Sequence, residues 1–354
     1  MTAFKNKERG TWTAKFYFTD WTGKRKQKKK EGFATKKEAL EFENDFLNSC
    51  ENTSNITFKH LVKEYIQDCE SRLKPTSMRT KRTVIYKKIL PYFENMNISD
   101  ITVYHIRKWQ NELITSEEHF SETYLKALHC QLSAIFNFAT KFYGLKSNPA
   151  SICGTMGKRN ADSMQFWTKQ EFDTFIRAVE DKPVSKTIFN LLFYSGMRKG
   201  EMLALTLNDF NFNSNTVSIT KNYARIDSKD IIQTPKTDKS IRTVTLPKQI
   251  LEMVKEYSQT LYGYEPNQRL FPIGVNYLYK EMKRGCDISN VKRIRIHDLR
   301  HSHASLLIEM GVSPLLISER LGHQDIQTTL SIYSHLYPNK HEEVAEKLEK
   351  MIQI

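Results

Sequence analysis

The stretch LGHQDIQTTLSIYSH, residues 321–335, sets Tyr333 ten residues after His323 and two before His335. It reads as a chain break at Gly322 followed by a short helix that carries the tyrosine. Most tyrosines in such a place are half-buried packing. A phenol has a reference pKa of about 10 and is a poor nucleophile at neutral pH. It becomes useful when the electrophile beside it is strongly polarised and a base is near. The meaning of Tyr333 therefore depends on what the rest of the chain brings to it.

The chain has 354 residues, with 54 Lys and Arg against 40 Asp and Glu, a net charge of +14. Such a field favours polyanions, nucleic acid first among them. The length suggests two or three domains, and the apolar content supplies several cores, which argues against wholesale disorder. No apolar run reaches about 18 residues, which excludes a membrane helix. MTAFKNKERG at the N-terminus lacks the apolar centre of a signal peptide. The five cysteines are scattered with no C-x-x-C pair, as expected for reduced thiols in a cytoplasmic protein. Neither an internal repeat nor a Gly-rich phosphate loop is present.

A phosphodiester is the electrophile a basic protein would hold. Its transition state gains negative charge on the non-bridging oxygens, which bidentate guanidinium groups match best. SGMRKGEMLAL places Arg198 just after a helix break at Ser195–Gly196, with Glu201 three residues on, able to orient it. IHDLRHSHAS places His297 and Arg300 three apart on one helix surface. His323 lies at the Gly322 break, after a helix that Ser313 and Pro314 open as N-cap and N1. Lys236 falls in a turn between two expected strands in QTPKTDKSIRTV, from which an ammonium can approach a leaving oxygen. Lys221, Lys239 and Arg242 lie near it and leave the choice of acid open. The H-x-x-x-H-x-H run from His297 to His303 gives no tetrahedral ligand set on one helix, and no metal is expected.

Upstream of these boxes, Trp12, Ala14, Phe16 and Phe18 alternate as one face of a half-buried strand. A turn at DWTG and a basic strand, KRKQKKK over residues 24–30, follow. A helix then opens with Thr35 and Glu38 in capping-box positions. Residues 1–50 carry twelve basic and seven acidic residues. The basic strand reads equally as a lysine-protected edge or as a surface lying along a DNA groove. After a polar linker at 51–56, residues 57–150 read as four helices. The first runs from Phe58 to Cys69 and is ended by Pro75. The second carries Lys81, Arg82, Lys87 and Lys88. The third starts near Thr102, and the fourth runs from Leu125 to a stop at Gly144. A second linker covers 153–163. Beyond it helices are expected at 168–181, 185–195 and 199–206, strands at 216–220, 230–235 and 241–246, and helices from Pro247 on. The fold class is mainly α with small β elements, α+β.

SGMRKGE, HDLRHSHAS and LGHQDIQTTLSIYSH, in the order R…K…H-x-x-R…H…Y, resemble the boxes of the tyrosine recombinases, in particular the integrases of temperate phages and conjugative transposons. The resemblance is specific from about residue 165 on and weaker before it. It implies an arm-type DNA-binding domain at 1–50, a helical core-binding domain at 57–150 and a mixed α/β catalytic domain at 164–354. It implies that Tyr333 attacks the scissile phosphate and becomes joined to a DNA 3′ phosphate. Arg198 and Arg300 would clamp the non-bridging oxygens, with Glu201 holding Arg198. Lys236 would protonate the 5′ leaving oxygen, His297 would act as acid/base or donor, and His323 as a further donor. Lys24, Arg25, Lys26 and Lys28 on the basic strand, with Lys81 and Arg82 on the second bundle helix, become the DNA-contact candidates.

The implied partners are double-stranded DNA at core and arm sites, a homotetramer on that DNA, an excisionase and a host DNA-bending protein. No cofactor and no membrane are implied. The family's closing helix, here HEEVAEKLEKMIQI with Val344, Leu348 and Ile352 in line, commonly docks on a neighbouring protomer. Three rival classes stand against this reading. A non-catalytic DNA-binding regulator should have lost Arg198, Arg300 or Tyr333, and none is lost. A type IB topoisomerase-like relaxing enzyme fits the nucleophile but less well the basic sheet and the four helices. A metal-dependent nuclease would need a carboxylate cluster that the sequence lacks.

Overall fold

Alternation of apolar and polar residues builds the first element group as read. β1 (Ala3–Lys5), β2 (Trp12–Thr19) and β3 (Arg25–Phe33) form an antiparallel sheet in the order β1-β2-β3. Helix α1 (Lys36–Cys50) packs on one face, where Ala14 and Phe16 are buried with Ala39. Thr35 Oγ1 accepts from the Glu38 backbone N–H at 3.2 Å, which caps the helix start. The computed structural model describes residues 3–5, 10–19, 25–50, 56–158, 165–235, 237–333 and 349. The turn expected at DWTG, Lys24, Lys236, Tyr337 and the closing stretch with Val344, Leu348 and Ile352 lie outside the described residues. The chain divides into two compact units, Met1–Asp162 and Ser163–Ile354.

The first unit continues with α2 (Phe58–Glu70), α3 (Pro75–Val84), a π-helical turn over Ile85–Ile89, α4 (Leu90–Phe93), α5 (Val103–Ile114), α6 (Glu122–Phe142) and the short α7 (Pro149–Cys153). Phe58, Leu61, Ile106, Leu128, Leu132 and Phe136 are among the side chains that close its core. Pro75 does not end α2 as expected. The helix stops at Glu70 and Pro75 opens α3 at its first position, where a missing N–H costs nothing. The second expected helix is likewise divided. Pro91 offers no N–H to the Lys87 carbonyl, and the chain widens into the π turn just before it. The Lys88 carbonyl inside that turn is taken by the indole N–H of Trp109 at 3.0 Å. Gly144, at φ +65°, stops α6 where the sequence placed the break.

The second unit holds α8 (Lys169–Arg177), α9 (Pro183–Ser195), α10 (Lys199–Ala204), β4 (Phe210–Asn211), β5 (Thr216–Ile219), β6 (Asn222–Ile226), β7 (Lys229–Gln233), β8 (Arg242–Thr245), α11 (Lys248–Gln259), α12 (Val275–Ser289), α13 (Asp298–Glu309), α14 (Pro314–Leu321) and α15 (Ile326–Tyr333). Strands β4, β5 and β8 form one sheet and β6 and β7 a separate hairpin. Strand β6 was not expected. Its turn is Asp227–Ser228, both with positive φ, 48° and 65°, which gives a tight hairpin without the usual glycine signal. One continuous core, including Trp167, Phe175, Phe189, Leu203, Val217 and Leu299, supports the elements that carry the boxes named above.

Candidate active site

Gly196 ends α9 in the left-handed region at φ +65°. A Cβ there would lie 2.6 Å from His303 and 2.7 Å from Leu321, so only glycine lets α13 and α14 come this close. Its carbonyl accepts from Arg300 Nη1 at 2.9 Å. Two residues on, Arg198 is the N-cap of α10. The carboxylate of Glu201, in the first turn, accepts the Arg198 backbone N–H at 2.9 Å and Arg198 Nη1 at 2.7 Å.

Glu201 is buried and also takes Arg242 Nη2 at 2.9 Å. It is therefore not a surface partner of Lys199, whose ammonium donates instead to the Tyr279 hydroxyl at 2.7 Å. Burial opposes ionisation of Glu201. The Arg242 guanidinium, with help from Arg198, overrides that and holds the carboxyl below its ordinary range. Arg242 also donates to the Arg320 carbonyl at 2.8 Å and to the Ser240 carbonyl at 2.9 Å. It thus ties the start of β8 to the end of α14.

Arg300 is buried at the third position of α13, with His297 as N-cap. Its Nη2 has no hydrogen-bond partner among the described residues. Burial, then the charges of Arg198 and Arg242, lowers its pKa to about 9, which leaves it charged at neutral pH. The same arginines bear on the histidines. Burial, His301, Arg300 and Arg198 bring His297 down to about 4. Burial, Arg300, Arg198 and Arg242 bring His323 down to about 3. Both imidazoles are neutral at neutral pH. His323 follows the left-handed Gly322, and its Nδ1 shares a hydrogen bond of 2.8 Å with Oγ1 of the buried Thr329.

Tyr333, the last residue of α15, is fully buried. Its hydroxyl meets His301 Nδ1 at 2.7 Å. Burial raises the phenol above its ordinary value, and Arg300 pulls the other way without overcoming it. Three guanidinium groups, Arg198, Arg242 and Arg300, thus stand around one buried carboxylate, Glu201. The surplus positive charge suits an added phosphate.

The sequence placed Arg198, Glu201, His297, Arg300, His323 and Tyr333, and all six come together here. It did not place His301 or Thr329 in the site, and it held Arg242 only as an alternative acid beside Lys236, not as a partner of Glu201. The signals existed: Arg242 shares a strand face with the buried Val244, and His301 follows His297 by one helical turn. Lys236 lies outside the described residues. Of the other candidate acids, Lys221 pairs with Asp209 at 2.7 Å, and Lys239 donates to the Gln324 carbonyl at 2.8 Å, next to His323.

On the small sheet, Lys26 and Lys28 pair across to Phe18 and Phe16 and so share the α1 side, while Arg25 and Lys29 lie on the other. Lys28 Nζ stands 4.4 Å from the centre of the Phe46 ring, and Arg25 caps Tyr17 at 4.5 Å. Lys81 donates to the Tyr65 hydroxyl at 2.6 Å and to Gln131 at 3.0 Å, and Arg82 pairs with Glu70. Tyr223 is of the ordinary kind, buried with its hydroxyl on Asp230 at 2.8 Å. Among the described residues no three His, Cys, Asp or Glu side chains are grouped to hold a metal ion, and no helix is long and apolar enough to cross a membrane.

Fold and site define a DNA strand-transfer enzyme, and the comparisons agree. Residues 165–340 match the phage integrase family, 57–114 the phage integrase N-terminal SAM-like domain, and 4–50 an arm DNA-binding domain. The chain belongs to the phage integrase family of tyrosine recombinases and is a site-specific recombinase that integrates mobile DNA. The ICEBs1 integrase of Bacillus subtilis (strain 168) is 31% identical over 338 residues, spanning 90% of this chain and 91% of its own. The Tn1549 transposon integrase in complex with a circular intermediate DNA shares the fold with a TM-score of 0.69 at 16% identity, covering 84% of this chain and 99% of that one. A lambda integrase tetramer bound to a Holliday junction gives a TM-score of 0.58 at 16% identity, over 92% of this chain and 96% of that one.

Proposed function

We propose that recombination proceeds through a 3′-phosphotyrosine formed by Tyr333. Arg198 and Arg300 hold the non-bridging oxygens, Glu201 fixes Arg198, and His297 and His323 donate to the phosphate. Lys236 protonates the 5′ oxygen as it leaves. Bond energy is kept in the phosphotyrosine, so rejoining to a new 5′ hydroxyl needs neither ATP nor metal. The observation that supports this most is the convergence of Arg198, Arg300, His297, His323 and Tyr333 from α10, α13, the α14–α15 turn and α15.

The working form is a homotetramer in the bacterial cytoplasm. Residues 57–150 and 164–354 grip the core site and residues 1–50 an arm site. Excisionase and a host DNA-bending protein set the direction. Arg25, Lys81 and Arg82, with Lys24, contribute the phosphate contacts, so affinity falls steeply with salt, while Lys26 and Lys28 lie on the α1 side of the small sheet. A nicked suicide substrate tests the core of the reading. Tyr333→Phe should bind DNA and form no covalent adduct, and an adduct from that variant overturns the assignment. Chelator should leave cleavage intact.

A further inference from the structure

His301 belongs to none of the roles given above, yet it is the side chain in contact with the tyrosine hydroxyl, at 2.7 Å, in a place where Tyr333 is fully buried. The two rings are 5.7 Å apart, centre to centre, and His297 packs edge-on to His301 at 5.3 Å. On resting geometry alone, a phenol walled off from solvent has few bases to give its proton to. The groups that bear on His301 are His297, Asp298, Arg300 and Arg295 on or beside its own helix, Tyr333 from α15 and His323 from the preceding turn. Burial is the first influence on its pKa and lowers it; Asp298 raises it, Arg300 and Arg295 lower it, and the net shift is downward. A neutral imidazole keeps one ring nitrogen free to accept, and with its proton on Nε2 the Nδ1 of His301 accepts from the Tyr333 hydroxyl, which is what a hydroxyl partner of a nucleophile must do.

We propose that His301 is the proton acceptor for Tyr333 and holds its phenol oxygen in position for attack. This rests on Tyr333 being the nucleophile. As the Tyr333 Oη–phosphorus bond forms, the phenol proton passes to His301 Nδ1. The bond from phosphorus to the 5′ oxygen breaks, and that oxygen takes its proton from the general acid. In the rejoining step the incoming 5′ hydroxyl returns a proton to the acid, and His301 returns its own to the departing phenolate. Arg300 and His301, adjacent on α13, thereby serve the two ends of one step: one holds the phosphate, the other relieves the nucleophile.

Adduct formation on a nicked suicide substrate, followed across pH with the full-length protein, separates the possibilities. His301→Ala and His301→Gln should bind DNA normally and react about 100-fold more slowly at neutral pH. Their rates should climb about tenfold per pH unit as hydroxide takes over, where the parent profile is flat. Imidazole in the buffer should restore part of the His301→Ala rate. A purely structural role moves neither the profile nor the imidazole response. Variants that keep the parent pH profile, or a Gln variant that restores the full rate, overturn the proposal. An adduct from Tyr333→Phe sinks the nucleophile reading instead, so the two failures are told apart.

Discussion

Arg242 Nη2 reaches the Glu201 carboxylate at 2.9 Å, and the other oxygen of that carboxylate holds Arg198 at 2.7 Å. One buried acid thus serves two guanidinium groups 44 residues apart in sequence. Removing it leaves a buried charge on Arg242 without its counterion. Breaking such a pair costs about 3–5 kcal/mol. Glu201→Ala should therefore lower unfolding stability by that amount in urea titration, while Arg198→Ala, whose side chain is partly exposed, should cost little stability. Both should slow adduct formation by orders of magnitude on the suicide substrate. A stable, fully active Glu201→Ala protein would remove the acid from the site.

Gly196 makes a second prediction at the same place. An alanine there keeps φ near +65° and brings its Cβ to 2.6 Å from His303. Strain of this kind costs about 1–3 kcal/mol. Relief by backbone movement would shift the carbonyl that Arg300 donates to. Gly196→Ala should lower the melting temperature, keep DNA binding and reduce the cleavage rate; unchanged cleavage would mean that Arg300 does not depend on this carbonyl.

The histidines predict acid sensitivity. His297 and His323 are brought down to about 4 and about 3 in the folded chain, burial first. In the unfolded chain they titrate near about 6.5. Folded values below unfolded ones mean that the unfolded state binds more protons on acidification. The contribution is present above about pH 6.5 and is lost as pH falls toward about 4. Glu201, also depressed, loses its contribution at still lower pH, in the carboxylate range. Urea midpoints should thus fall already between about pH 6.5 and about pH 5, before carboxylates protonate. A flat midpoint across that window would contradict the buried neutral imidazoles.

Much of this site was legible because its residues occupy punctuated positions. Gly196 and Gly322 announce breaks, Pro314 opens a helix, and the boxes follow each break in order. Helix interiors in the first unit were legible from their stripes, but Pro75 was misassigned and the break before Pro91 was not foreseen, because a proline can end one helix or open the next. The hairpin at Asp227–Ser228 escaped since no glycine marks its positive-φ residues. The roles of Arg242 and His301 escaped for a different reason. Their partners, Glu201 and Tyr333, are 41 and 32 residues away, and only folding brings them into contact.

The small sheet separates two kinds of basic residue. Direct cross-strand pairs share a face, so Lys26, Lys28 and Lys30, opposite Phe18, Phe16 and Ala14, lie toward α1. The Lys28 and Lys30 ammonium groups stand 4.4 Å from the centres of the Phe46 and Phe42 rings. Arg25, Gln27 and Lys29, opposite Thr19, Tyr17 and Lys15, form the face turned away from the helix. A DNA backbone laid against that outer face meets Arg25 and Lys29 first. Arg25→Ala should weaken arm-site binding and flatten the slope of log affinity against log salt by about 1. Lys28→Ala should leave that slope nearly unchanged and instead lose the ring contact, about 0.5–1 kcal/mol of stability. Binding titrations at several salt concentrations decide between the faces, and a larger slope change from Lys28→Ala would mean that DNA approaches from the helix side.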